Sequence, residues 1–76
     1  MTKLPSISGA DAVRAFRHIG YDADHQTGSH VILRNREAPF RRLTIPAHRE
    51  LAKGTLRALI REAGITVDEF AKLLQR

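Results

Sequence analysis

The chain has 76 residues, and a domain of this size buries only roughly 60% of the surface that its unfolded chain exposes, which leaves a thin core. This excludes a deep small-molecule pocket and a second catalytic domain, and the absence of cysteine excludes disulfides and thiolate zinc sites, so we expect a single domain over residues 1–76. Thirteen Lys and Arg residues stand against eight Asp and Glu, and the net charge of +5 favours a nucleic-acid partner where the cations cluster. The N-terminal residues carry no apolar signal-peptide core and no stretch approaches the ~20 apolar residues of a membrane span, so we expect a soluble, cytoplasmic protein.

The first predicted element is a helix over residues 9–19. Ser8 stands at the N-cap position, and Asp11 follows at the spacing of a capping box. Gly20 stands where a glycine commonly ends a helix. Four apolar residues recur at helical spacing and form the buried face, namely Ala12, Val13, Phe16 and Ile19.

Strands are predicted next, because polar and apolar residues alternate between Tyr21 and Ile45. Thr27-Gly28 fits a two-residue turn, and a strand follows over residues 29–34. A polar connection leads to a further strand over residues 40–45, which Pro46 ends because proline cannot donate to a strand ladder.

Two helices complete the chain. The first is predicted over residues 54–63 and ends at Gly64, and a short terminal helix starts from Thr66, where Glu69 repeats the capping-box spacing. The order α-β-β-β-α-α predicts an α+β fold, in which helices cover one face of a three-stranded antiparallel sheet and leave the other face open.

The open face of the sheet is predicted to be basic. With Thr27-Gly28 as the turn, His25 would lie directly opposite His30, and Asp22 and Asp24 would point to the covered face. The residues assigned to the open face by alternation are His30, Ile32, Arg34, Arg42 and Thr44, and those assigned to the core are Val31, Leu33, Leu43 and Ile45.

A second group of cations lies on the helix that follows the sheet. Lys53, Arg57 and Arg61 are spaced i, i+4, i+8 and form a ridge along one side. Like charges so placed repel one another, and the phosphates of a polyanion relieve that cost. A merely solvated basic surface is the alternative interpretation.

His30 is the candidate catalytic residue. It directly follows Gly28-Ser29, where the backbone is open to approach, and it faces away from the core. A metal site that combines His25, His30 and His48 is the alternative, which the cationic surroundings disfavour. We expect His48 to fix its loop or to contact a protein partner.

Several segments together resemble the motifs of the HicA (YcfA-type) toxins. No single segment is specific, but their order and spacing match over nearly the whole chain, namely Gln26-Thr27-Gly28-Ser29-His30, Thr44-Ile45-Pro46-Ala47-His48, Glu50-Leu51-Ala52-Lys53-Gly54-Thr55-Leu56 and Ala63-Gly64-Ile65. The resemblance implies a double-stranded-RNA-binding-domain-like α-β-β-β-α fold, which agrees with the elements predicted above.

The resemblance also implies a function. HicA toxins are ribonucleases that cut messenger RNA without a metal or cofactor and are silenced by a HicB antitoxin, which would cover the open face. The catalytic histidine of the Gly-Ser-His motif carries over to His30, acting as general acid or base. The family commonly has a basic residue or valine where this chain has His25, so the resemblance assigns no catalytic role to His25. The residues expected to contact RNA phosphates are Ser29, Arg34, Arg42, Lys53 and Arg57.

Two other functions stay open at this point. The first is a non-catalytic RNA- or DNA-binding domain that uses the same basic face for affinity alone. The second is an interaction protein that docks an acidic partner through Ile32 and the surrounding cations. A base-stacking RNA platform is disfavoured, because the chain has only three Phe and one Tyr, and Phe16 and Phe70 lie on apolar helix faces.

Overall fold

Six elements follow one another in the predicted order. The computed structural model describes residues 3–76, so Met1 and Thr2 of the N-terminal stretch considered above lie outside the described residues. Within residues 3–76 no helix is long and apolar enough to cross a membrane. The elements are α1 (Gly9–Arg17), β1 (Tyr21–Thr27), β2 (His30–Asn35), β3 (Arg42–Pro46), α2 (Lys53–Glu62) and α3 (Val67–Leu74).

The predicted helix caps are confirmed. The Ser8 hydroxyl accepts a hydrogen bond from the backbone N–H of Asp11 at 3.0 Å, and the Asp11 carboxylate accepts one from the N–H of Ser8. Thr66 and Glu69 form the same reciprocal pair at the start of α3. The helix α2 differs, because its N-cap is Ala52 and no side chain caps it.

The sheet is antiparallel with the strand order β1-β2-β3, as predicted. The predicted turn is wrong by one residue, since Thr27 pairs with His30 and the turn consists of Gly28 and Ser29. Gly28 has a φ of +55°, and a type II′ turn places glycine at its first central position. Moving the turn by one residue displaces the pairing next to the turn by two residues, so that His25 pairs with Ile32 instead of His30.

The strand β3 begins two residues later than predicted. Phe40 has a φ of +59°, which is incompatible with an extended strand for a bulky residue, and its N–H closes a turn to the carbonyl of Glu37 at 2.8 Å. The ladder therefore starts at Arg42, which pairs with Arg34, and runs to Pro46.

A bulge interrupts β1 at Asp24. Ala23 pairs with Leu33 and His25 pairs with Ile32, so Asp24 is an extra residue without a partner on β2. A bulge of this kind breaks the alternation of side chains between the two faces of a strand.

The core lies between the covered face of the sheet and the helices. Phe16 of α1 contacts both Tyr21 and Phe70, with ring centroids 5.9 and 5.1 Å apart. Val31 is only partly buried, whereas the other predicted core residues of the sheet are fully buried, namely Leu33, Leu43 and Ile45. The predicted α+β, double-stranded-RNA-binding-domain-like architecture is confirmed.

Candidate active site on the open sheet face

The open face of the sheet presents three rows of paired residues, one from each strand. Residues that pair directly in an antiparallel sheet point to the same face, so the register alone defines these rows. From the turn end inwards the rows are Thr27–His30–Pro46, His25–Ile32–Thr44 and Asp22–Arg34–Arg42. We use "open face" below for these nine residues.

His30 lies in the row at the turn end and is exposed. Its predecessor Ser29 belongs to the turn, and the Ser29 carbonyl accepts a hydrogen bond from the N–H of Ala47 at 2.6 Å. The imidazole is therefore held on a hairpin whose tip is tied to the end of β3, and it is free to meet a large ligand.

Arg34 and Arg42 lie opposite each other in the far row. Arg34 lies four positions after His30 along β2, which corresponds to about 13 Å. The Arg34 guanidinium lies 5.4 Å from the centre of the Phe40 ring, and this cation–π contact restrains the head of an exposed side chain. The two cations, Arg34 and Arg42, thus lie together at a distance from His30 that the strand β2 fixes.

The open face also carries a carboxylate, contrary to the sequence-based prediction. Asp22 pairs with Arg34 and lies 3.5 Å from Arg36, so it belongs to the open face and not to the covered one. The prediction failed because it assumed unbroken alternation along β1, which the bulge at Asp24 interrupts.

Asp24 and His25 form a hydrogen-bonded pair on this face. The His25 Nδ1–H donates to the Asp24 carboxylate at 2.8 Å, and this bond is the main reason that the pKa of Asp24 is lowered. Arg42 and Arg34 lower the pKa of Asp24 further. The predicted pairing of His25 with His30 is wrong, since His25 lies opposite Ile32, one row away.

The cations of α2 occupy a different surface. Lys53, Arg57 and Arg61 are exposed on α2, which packs against β3 from the covered side of the sheet. The cations among the predicted phosphate contacts therefore fall into two groups, Arg34 and Arg42 on the open face and Lys53 and Arg57 behind β3. Lys53 is the first residue of α2, where the first turn carries no acidic residue.

A loop ties the open face to α1. The N–H of Gly9 donates to the carbonyl of His48 at 2.9 Å, and the N–H of Leu51 donates to the carbonyl of Ile7 at 2.8 Å. The His48 carbonyl holds this loop, while its side chain is exposed, so the role expected for the His48 side chain stays a prediction. Within residues 3–76 no three His, Asp or Glu side chains form a group that could hold a metal ion.

Sequence reasoning missed Asp24 and Phe40 as parts of this site. Nothing in Ala23-Asp24-His25 signals a bulge, because β1 is exposed beyond Tyr21 and lacks the apolar alternation that would reveal its faces. The cluster Ala38-Pro39-Phe40 did contain a signal, since a proline one residue before Phe40 disfavours regular strand at that point.

The comparison with protein families supports the resemblance drawn from the motifs. A family model described as HicA toxin of bacterial toxin–antitoxin matches residues 9–65, which include α1, all three strands and α2. No curated protein matches the chain. A toxin of such a system has an antitoxin partner. The chain therefore belongs to the HicA toxin family of bacterial toxin–antitoxin systems.

Proposed function

We propose that this toxin is a metal-independent endoribonuclease that cleaves messenger RNA and so arrests translation and growth, with His30 as a general acid or base. The observation that carries the proposal is the placement of an exposed histidine on a sheet face that also presents two opposed arginines, in a member of the HicA toxin family. A shallow, cationic face of this kind suits a polymer substrate with phosphates at regular intervals.

The reaction would use the RNA's own 2′-hydroxyl as the nucleophile. His30 would take the proton from that hydroxyl or give one to the leaving 5′-oxygen, a contribution worth typically about 10²–10⁴-fold in rate. Arg34 and Arg42 would hold phosphates and stabilise the charge that develops on the scissile one.

The remaining cations extend the contact to the flanking RNA. Lys53 and Arg57 lie on α2, where the uncapped first turn adds free backbone N–H groups that suit a phosphate. Ser29 lies in the turn beside His30 and would position the backbone next to the scissile bond.

The antitoxin partner is proposed to be a HicB-like protein that covers the open face around His30. Such a partner would silence the toxin by competing with RNA for the same arginines. An acidic surface on the partner is expected, because the chain carries a net charge of +5.

The proposal is tested with wild type and His30→Ala, incubated with single-stranded RNA in excess EDTA, while RNA binding is measured in parallel. We expect wild type to cut, His30→Ala to bind with similar affinity but not to cut, and His18→Ala to behave as wild type. His18 is the matched control because it is exposed at the end of α1, away from the open face.

Two results would contradict the proposal. Binding without cleavage by both wild type and His30→Ala would identify a non-catalytic nucleic-acid-binding domain. Cleavage by wild type that EDTA abolishes would show that a metal is required.

A further inference from the structure

The hydrogen-bonded pair of Asp24 and His25 has no role in the function proposed above. In a regular strand, neighbouring side chains point to opposite faces, so residues 24 and 25 could not meet on one side of the sheet. The bulge at Asp24 removes this restriction and brings the carboxylate within 2.8 Å of the His25 ring. Bulges often re-aim a side chain in this way beside an active site.

The position of His25 relative to His30 is defined by the strand register. His25 pairs with Ile32, and His30 lies two residues before Ile32 on the same strand and the same face. The two histidines are therefore diagonal neighbours, for which the separation is roughly 7–8 Å. This separation leaves room for one phosphodiester between the two imidazole rings.

We propose that His25 is a second catalytic acid–base residue of this toxin, and that Asp24 is a positioning residue that fixes the His25 ring. The inference rests on the proposed ribonuclease function and adds the group that a single histidine cannot supply. One imidazole takes the proton of the 2′-hydroxyl, and the other gives a proton to the departing 5′-oxygen.

The bond changes in this step balance without any further reactant. The 2′-oxygen forms a bond to phosphorus while the bond from phosphorus to the 5′-oxygen breaks. One proton leaves the 2′-hydroxyl and one arrives on the 5′-oxygen, so the products are a 2′,3′-cyclic phosphate and a 5′-hydroxyl end. The two histidines finish the step with their protonation states exchanged, and solvent restores them.

The surroundings of His25 support this assignment. The hydrogen bond to Asp24 occupies Nδ1 and leaves Nε2 available to the substrate. The side chain of His25 is 53% exposed, so RNA can reach it. The titratable and charged groups that share the open face are Asp22, His30, Arg34 and Arg42, and the pKa of Asp24 is lowered mainly by its hydrogen bond from His25 and further by the two arginines.

The test compares wild type, His25→Ala, Asp24→Asn and His18→Ala on one single-stranded RNA in EDTA, over a range of pH. DNA of the same sequence serves as the uncleavable probe of binding. We expect a bell-shaped pH profile of kcat/KM for wild type, which reports one acid and one base. His25→Ala is expected to lower kcat by about 10²–10⁴-fold with unchanged DNA binding and to lose one limb of the bell.

Asp24→Asn separates positioning from catalysis. We expect a smaller fall in kcat than for His25→Ala, with both limbs of the bell retained, because the imidazole is still present. His18→Ala is expected to match wild type in rate and profile. If His25→Ala does not fold by circular dichroism, His25→Gln, which keeps a donor for Asp24, replaces it and is expected to lose the same limb.

Two outcomes would overturn the inference and differ in their meaning. If wild type cleaves and His25→Ala cleaves at the same rate with both limbs of the bell, the second acid–base residue is refuted while the proposed function stands. If wild type does not cleave RNA at all, the proposed function is refuted together with this inference.

Discussion

Gly9 joins the first helix to the site, and replacing it by alanine is the most direct test of the packing described above. A Cβ atom built on Gly9 would lie 2.1 Å from the carbonyl oxygen of Pro46 and 3.2 Å from the Cα of Ala47. Both contacts are with backbone atoms, which cannot rotate away as a side chain does. The N–H of Gly9 also holds the carbonyl of His48.

Two opposing terms set the expected size of the effect. Alanine is preferred over glycine in a helix by about 1 kcal/mol at most. Overpacking a close contact costs about 1–3 kcal/mol and sometimes more, and moving Gly9 away weakens its hydrogen bond to the His48 carbonyl, worth about 1 kcal/mol. We therefore expect Gly9→Ala to lower the free energy of unfolding by about 1–3 kcal/mol, and Tm by about 4–8 °C for each kcal/mol.

Thermal and urea denaturation measure this loss, with Gly54→Ala as the matched control. Gly54 also lies in the first turn of a helix, but a Cβ there would meet no atom within 4 Å. Gly54→Ala is expected to raise the free energy of unfolding by about 0.5–1 kcal/mol. If Gly9→Ala gains stability as Gly54→Ala does, the close approach of α1 to the end of β3 is wrong.

Three further predictions concern ligand and pH. DNA of the same sequence as a cleaved RNA should bind to the toxin but remain intact, because it lacks the 2′-hydroxyl; cleavage of DNA in a gel assay would refute the proposed nucleophile. Arg42→Ala should weaken RNA binding and reduce the slope of the logarithm of the binding constant against the logarithm of the salt concentration by about 0.7. Fluorescence titration at several salt concentrations measures this slope. An unchanged slope would mean that Arg42 contacts no phosphate. The pKa of Asp11 is lowered from 3.8, chiefly by the backbone N–H of Ser8, so its stabilisation is present above that value and is lost as the pH falls through the lower folded pKa. The Tm difference between wild type and Asp11→Asn should accordingly shrink on acidification below about pH 4, and a difference that is constant with pH would exclude this role.

The parts of the fold that follow from local chemistry could be predicted from the sequence. Ser8 and Thr66 identify two helix starts because capping needs only residues three apart, and the alternation of Leu33, Leu43 and Ile45 identifies the covered face of the sheet. The register of the hairpin could not be settled this way, because a Thr-Gly and a Gly-Ser turn differ by one residue.

The candidate site was predictable only in part, because two of its strands show which face each residue occupies and the third does not. His30, Arg34 and Arg42 share a face because β2 and β3 alternate regularly from one buried residue to the next. The edge strand β1 buries only Tyr21, so no apolar pattern fixed the direction of Asp22, Asp24 or His25. The contribution of a strand without an apolar face has to be observed and cannot be deduced.

The bulge at Asp24 has a consequence for how such a toxin can change by insertion and deletion. Removing one residue from a strand normally exchanges the two faces for every side chain beyond it. Asp24 has no partner on β2, so its loss would leave Ala23 facing inwards, His25 facing outwards and the ladder to β2 continuous. A single-codon deletion or insertion can therefore remove or restore the carboxylate beside His25 while the core stays as it is. If His25 and Asp24 act as we propose, such a change in chain length would alter the activity of the toxin without altering the residues that keep it folded.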